Sequence, residues 1–238
     1  MTNVFLLAGQ SNMAGAGTSA EIPERLAKTP EGIRLYEDGE MRELVWRDAF
    51  GPEVGFAHGI AGEVAGPVVL CKVARGGANL RYDWNPDGTS RGEDEYRGPL
   101  YPRLIEAAKG VASSVGECAF AGMLWMQGER DSVFEDMAKV YEDNLRVFIA
   151  SVRRDVGAPD VPFVTALPSP RKYNIGPGAF QHAHREIVQA AQARYVESDP
   201  NAALVKTHDL PQSDNLHFDT GGQLVLGQRF AEAMIALV

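Results

Sequence analysis

The chain is poor in several features that mark common protein classes. Its two cysteines, Cys71 and Cys118, are too few for a disulfide scaffold. Both sit in apolar runs, VVLCKVA and ECAFAGMLW, where a buried, reduced thiol is the expected state. Cations are in deficit: 23 Lys and Arg against 32 Asp and Glu leave a net charge of −9. Phosphate-backbone binding needs clustered cations, so nucleic acid is not an expected partner. The opening MTNVFLLAGQSNMAG lacks a basic leader, and its apolar stretch runs only from Val4 to Ala8. That is too short for a signal h-region or a membrane span, so no membrane partner and a cytoplasmic location are expected.

Cofactor and metal signatures are also missing. The sequence contains no G-x-x-x-x-G-K-[ST] loop and no G-x-G-x-x-G fingerprint. His182 and His184 are two apart on an expected helix and do not share a face, and His58 and His208 have no ligand-spaced neighbours. Neither a metal nor a cofactor is expected.

What is present reads as one folded unit. With 45% hydrophobic and 23% charged residues, the composition is that of a globular protein able to bury a core. The length of 238 residues admits one large domain or two small ones. No repeat, low-complexity tract or Ser/Gly linker marks a boundary, so a single domain over residues 1–238 is expected. Five apolar runs read as buried strands: Val4–Ala8, Pro67–Ala74, Ala119–Met126, Pro162–Leu167 and Ala203–His208. Between and after them, apolar residues recur three to four apart: at Val54–Val64, Leu100–Val111, Phe134–Phe148, Phe180–Ala190 and Leu224–Leu237. These predict amphipathic helices. The alternation implies right-handed βαβ units, hence an α/β/α three-layer domain on a mostly parallel sheet. Thr18–Phe50 and Arg81–Gly98 resist regular assignment, apart from a short helix near Glu21–Ala27, and read as binding or lid loops.

Ligands of open α/β sheets bind beyond the carboxyl ends of the strands, which directs attention to four segments. Gly9-Gln10-Ser11-Asn12-Met13 places Ser11 at a strand-to-helix turn, as an exposed nucleophile or an ordinary helix cap. Met13 departs from the G-x-S-x-G elbow. Arg75-Gly76-Gly77-Ala78-Asn79 offers backbone N–H groups as a second oxyanion donor, or a tight turn; Arg75 faces a substrate or a neighbouring carboxylate. Gln127-Gly128-Glu129-Arg130-Asp131 supplies an amide donor and two carboxylates, which otherwise serve to cap the next helix. Asp214-Asn215-Leu216-His217 is short enough for the carboxylate to hold the imidazole in the tautomer a general base requires. Together the four supply each role of acyl transfer.

Five stretches, GQSNMAG at 9–15, GPEVGFA at 51–57, RGGANL at 75–80, WMQGERD at 125–131 and DNLHFD at 214–219, resemble the SGNH-hydrolase superfamily. Within it they resemble the sialate O-acetylesterase and acetylxylan esterase branch, carbohydrate esterase family 6. The resemblance implies a flavodoxin-like sandwich with five parallel strands, Ser11 as nucleophile and His217 as general base. It implies an oxyanion hole of the Ser11 N–H, the Gly76 or Gly77 N–H, and Gln127, which stands where many members carry Asn. Asp214 is the expected orienter of His217, and Glu129 an assisting acid or substrate contact. The expected reaction is removal of O-acetyl groups from carbohydrate through an acetyl-Ser11 intermediate. A lipase or thioesterase for longer acyl chains, and a non-catalytic carbohydrate-binding module, are the alternatives. Arg75, Asn79, Tyr82 and Trp84 are the expected substrate contacts. In the same loop Asn85, Asp87 and Tyr96 add polar groups and a further ring, since aromatic faces stack on sugars.

Overall fold

The computed structural model describes residues 1–87, 99–169 and 182–238. In chain order its strands are β1 (Thr2–Gly9), β2 (Gly17–Thr18), β3 (Ile33–Glu37), β4 (Glu40–Arg42), β5 (Ala49–Phe50), β6 (Val68–Ala74), β7 (Cys118–Met126), β8 (Phe163–Ala166) and β9 (Ala202–Val205). Its α-helices are α1 (Ser11–Ala14), α2 (Glu24–Ala27), α3 (Glu53–Ile60), α4 (Leu100–Val115), α5 (Glu135–Lys139), α6 (Tyr141–Asp155), α7 (Arg185–Ser198) and α8 (Thr220–Ile235).

Seven strands form one sheet in the order β4-β3-β6-β1-β7-β8-β9, and all its pairings are parallel except β3 with β4. The five expected strands are β1, β6, β7, β8 and β9. The sheet is therefore wider than the expected five strands: β3 and β4 extend it from Thr18–Phe50, a stretch that read as irregular. Arg34 and the exposed Glu40 interrupt the apolar pattern there, because this pair lies at the sheet edge. β2 and β5 form a separate two-stranded ribbon, and α2 is the short helix expected in that stretch.

Side chains alternate across β1, sending Val4, Leu6 and Ala8 to one face and Phe5 and Leu7 to the other. The first face packs against α4, α6 and α7, through Leu104, Ala108, Leu145, Phe148 and Val188. The second packs against α3 and α8, through Val54, Phe56, Leu226 and Phe230. A strand clothed on both sides must be apolar throughout, which is why β1 reads as a continuous run. The helix expected across Phe134–Phe148 is broken at Val140 into α5 and α6. Phe134 is 38% exposed, while Tyr141, Leu145 and Phe148 face the core. Phe180 lies outside the described residues, and its helix begins at Arg185. Cys71 is buried and its thiol pushed up to about 12 by desolvation, so it is inert at neutral pH; Cys118 is free and half-buried.

Strand order reverses at β1, since β3, β4 and β6, which follow it in the chain, lie on one side of it and β7, β8 and β9 on the other. That is where an open sheet forms its crevice. Gly9 makes the junction tight: its φ is +154°, and a β-carbon there would sit 2.1 Å from the Met126 carbonyl oxygen. The Gln10 N–H donates to that same carbonyl at 2.9 Å, so the chain enters the next turn pinned to the end of β7.

Candidate active site

Ser11 begins α1, a single turn in which the Met13 and Ala14 N–H groups both donate to the Gln10 carbonyl. Its Oγ lies 3.0 Å from Nε2 of His217, although 206 residues separate them. His217 comes from the loop between β9 and α8, closed by a Gln212–Phe218 bridge and by the Ser213 N–H donating to the His217 carbonyl at 3.0 Å. Asp214 organises the loop from within. Its Oδ1 accepts from the Leu216 and His217 N–H groups, both at 2.6 Å, and its Oδ2 lies 2.8 Å from His217 Nδ1. Burial raises the Asp214 pKa, but the bonds from the His217 ring and the two backbone N–H groups outweigh it and hold the carboxyl below its usual range. An ionised carboxylate on Nδ1 requires that nitrogen to carry the proton, leaving Nε2 free to accept one from Ser11. The Asp219 side chain caps α8 by accepting from the Gly222 N–H at 2.8 Å, which fixes where the loop ends.

Glu129 does not take the place of Asp214 on the imidazole. Its Oε1 accepts from Asn12 Nδ2 at 2.8 Å, and its Oε2 is buried with no hydrogen-bond partner among the described residues. Desolvation raises its pKa, against the Asn12 bond, its own backbone N–H and the nearby His217. Its surroundings are closed: the residue is 2% exposed. Asn12, which sequence reasoning passed over, also donates to the Leu216 carbonyl at 3.1 Å and accepts from the Phe218 N–H at 3.1 Å.

Gly76 adjoins Ser11, since a β-carbon there would lie 3.8 Å from Ser11 Cβ. Gly77 follows, half-buried with a φ of +71°. Arg75 is exposed beside them, and its N–H donates to the Gly9 carbonyl at 3.3 Å. Gln127 corrects the expectation. Its side chain is fully buried, with Nε2 donating to Gln10 Oε1 at 3.2 Å, the Ala78 carbonyl at 3.1 Å and Asp131 Oδ2 at 2.5 Å. Its Oε1 accepts from the Tyr141 hydroxyl at 2.9 Å. An amide so enclosed has no N–H left to meet an oxyanion. Asp131 caps no helix with its carboxylate, which accepts from the Leu80 N–H at 2.9 Å and ties the loop after β6 to that after β7.

The expected sugar contacts divide. Trp84 is a core residue, fully buried and edge-on to Trp125 and Phe148 with ring centroids 5.2 and 5.7 Å away, so it cannot stack on a ligand. Asn79 is buried too, donating to Asp83 Oδ2 at 2.9 Å and accepting from the Tyr82 N–H at 2.7 Å. Tyr82 is half-buried beside the Arg81 guanidinium at 5.2 Å, Asn85 is half-buried and Asp87 exposed. Tyr96 lies outside the described residues. A groove of about 410 Å³ runs along the ends of β3 and β6 to α4, with Glu37, Asp38, Arg75, Arg103 and Glu106 among its walls.

The GPEVGFA stretch also acquires a place. Glu53 forms a buried ion pair with Lys72 at 2.8 Å, and Lys72 Nζ donates to the Ala14 carbonyl at 3.0 Å. The Arg47 guanidinium donates to that same carbonyl at 3.0 Å, so the far end of the Ser11 turn is held from beneath. His182, set aside in the sequence, lies against the site from behind, with Nδ1 2.6 Å from the Glu129 carbonyl. Among the described residues no group of three or more His, Cys, Asp or Glu is placed to hold a metal ion, and no helix is long and apolar enough to cross a membrane.

Known proteins share this arrangement of chain. A probable carbohydrate esterase from Arabidopsis thaliana is 26% identical over 265 residues, covering 98% of this chain and 90% of that protein. The crystal structure of an Arabidopsis thaliana protein superimposes with a TM-score of 0.78 at 23% identity, over 98% of both chains. NanS does so with a TM-score of 0.71 at 16% identity, over 99% of this chain and 97% of its own. A carbohydrate acetylesterase from Xanthomonas citri gives a TM-score of 0.73 at 18% identity, over 97% of this chain and 55% of that one. These structural likenesses establish the shared α/β/α fold. The sequence model of one family matches residues 1–236, nearly the whole chain, and on that match the protein belongs to the carbohydrate esterases of the sialic acid-specific acetylesterase family.

Proposed function

We propose that this carboxylic ester hydrolase is a serine O-acetylesterase that deacetylates a carbohydrate through an acetyl-Ser11 intermediate. The observation that carries the proposal is the continuous line Ser11 Oγ, His217, Asp214, with separations of 3.0 and 2.8 Å. His217 Nε2 takes the Ser11 proton as Oγ bonds to the acetyl carbon, and the carbonyl electron pair moves to oxygen. Ser11 opens its helical turn, where helix geometry leaves the N–H without an intrahelical acceptor, so this N–H and that of the adjoining Gly76 are the proposed oxyanion donors. Each is worth roughly 3–4 kcal/mol of barrier. The imidazolium then gives its proton to the departing sugar oxygen. Water, deprotonated by the same nitrogen, releases acetate and restores Ser11.

For the substrate, the family description favours an acetylated sialic acid over acetylated xylan. We place the sugar over Arg75, with Tyr82 alongside it and the groove on the other side. The test is Ser11→Ala against the parent on acetylated sialic acids, acetylated xylan fragments, p-nitrophenyl acetate and p-nitrophenyl butyrate, with the released acid measured. The substitution is expected to abolish release. Retained turnover refutes the acetyl-Ser11 route, and equal rates on acetyl and butyryl esters would move the reading to a longer-chain acyl hydrolase.

A further inference from the structure

The reaction proposed above needs two loops, over two hundred residues apart in sequence, to meet at hydrogen-bond distance. One end of the His217 loop is anchored by the buried Phe218 and the Asp219 cap of α8, but Ser213, Asp214 and Asn215 are all exposed, and Asp214 bonds to the loop's own Leu216 and His217. We infer that Asn12 is the positioning residue that docks this loop on the nucleophile's turn, and that Glu129 acts on the reaction through Asn12. The inference rests on the acetyl-Ser11 reading only for its catalytic consequence; the docking itself stands apart from it.

The geometry brackets the base. Asn12 follows the nucleophile directly, and its partners Leu216 and Phe218 flank His217 on either side. Its amide donates at one flank and accepts at the other, so the loop is fixed in both position and polarity. Turned over, the amide would set its oxygen against the Leu216 carbonyl and its NH₂ against the Phe218 N–H, two repulsive contacts. The second Nδ2 hydrogen goes to Glu129 at 2.8 Å, and Asn12 and Glu129 are both buried. Without that acceptor a buried donor would be left unsatisfied and the amide less firmly held. Accepting this hydrogen requires a carbonyl-like oxygen and no net charge, and a glutamine at 129 supplies one. A carboxylate acting directly on the imidazole would instead need its charge.

The two roles separate by experiment. Asn12→Ala and Glu129→Ala are each expected to lower kcat on p-nitrophenyl acetate by about 10²-fold, the size of effect a displacement near 1 Å produces, with KM changed less than about threefold. Glu129→Gln is expected to restore activity to within about threefold of the parent, with the acid limb of its kcat/KM profile unmoved. The double variant is expected to be no slower than Asn12→Ala alone. Amide hydrogen exchange reads the docking without turnover: protection of the Phe218 N–H should fall at least tenfold in both alanine variants and persist in Glu129→Gln. If Asn12→Ala does not fold, the two Glu129 variants still decide. Equal losses in Glu129→Gln and Glu129→Ala, multiplicative losses in the double variant, or unchanged Phe218 protection would overturn the inference. An active Ser11→Ala protein with the expected exchange pattern would remove the proposed chemistry and leave the docking intact.

Discussion

Two polar clusters stand back to back at the ends of the central strands, and they use similar residues for opposite ends. Ser11, His217 and Asp214 meet at the surface, where the Asp214 side chain is 55% exposed. Behind them Gln10, Gln127, Asp131, Tyr141 and Gln192 form a hub that water does not reach, in which Gln127 touches Gln10, Asp131 and Tyr141 and accepts from Gln192 through its carbonyl. The front cluster leaves the Ser11 hydroxyl and its proton acceptor, His217 Nε2, part-exposed at the surface. In the hub the amide hydrogens of Gln127 and Gln192 are spent on buried acceptors, among them Gln10, Asp131, Thr165 and the Ala78 carbonyl, as buried donors must be if they are not to cost stability. Residue type alone therefore does not assign chemistry. What decides is whether a group's hydrogen-bonding capacity is still available when a substrate arrives.

This contrast is open to direct attack. The largest effect belongs to the front cluster: Asp214→Asn should lower kcat on the order of 10⁴-fold by presenting the wrong tautomer, with the melting temperature little changed. Equal damage to folding would erase the distinction between the clusters. Next comes the core beside the hub. Trp84→Ala should cost about 3–5 kcal/mol in urea unfolding, whereas Tyr82→Ala should leave stability nearly unchanged and raise KM for an acetylated sugar. A stable Trp84→Ala protein with a raised KM would return that ring to the substrate.

The smallest effect lies in the hub and depends on pH. Desolvation raises the Asp131 pKa to about 6, opposed by its bonds from Leu80 and Gln127. The folded state then holds this proton more tightly than the unfolded chain, where the carboxyl titrates near 3.9. Its contribution is most favourable below about pH 4, declines as pH rises through about 6 and is flat above. At roughly 1.4 kcal/mol per unit the swing is about 3 kcal/mol. Unfolding free energies of the parent relative to Asp131→Asn should diverge by that amount between pH 4 and pH 7. A constant difference would mean that Asp131 is ionised throughout.

Elements buried on both faces were legible because their sequences are dominated by apolar runs, unbroken from Val4 to Ala8 in β1 and interrupted in β6 by Lys72 alone. The β3–β4 pair was not, because Arg34 in β3 and Glu40 in the edge strand β4 leave no such run. Ser11 and the Asp214–His217 loop could be read because Asp-x-x-His closes on itself within four residues. Gln127 was placed in the oxyanion hole from its chemistry, but its acceptors come from three separate segments that only the fold assembles. Asn12 went unread for the same reason, since Leu216 and Phe218 lie more than two hundred positions away. Trp84 sits between Asp83 and Asn85, polar neighbours that resemble a surface loop. Nothing local shows that α6 brings Phe148 onto its ring.

The great separation of Ser11 from His217 along the chain also bears on how the protein comes into being. A ribosome makes His217 some two hundred residues after Ser11, so for that interval the nascent polypeptide carries the serine without the imidazole. On the proposed mechanism, hydrolysis begins only when the loop bearing the imidazole has been synthesised and has settled against the turn after β1. Esterase turnover during cell-free translation would thus mark the moment at which the two distant parts of the polypeptide come together.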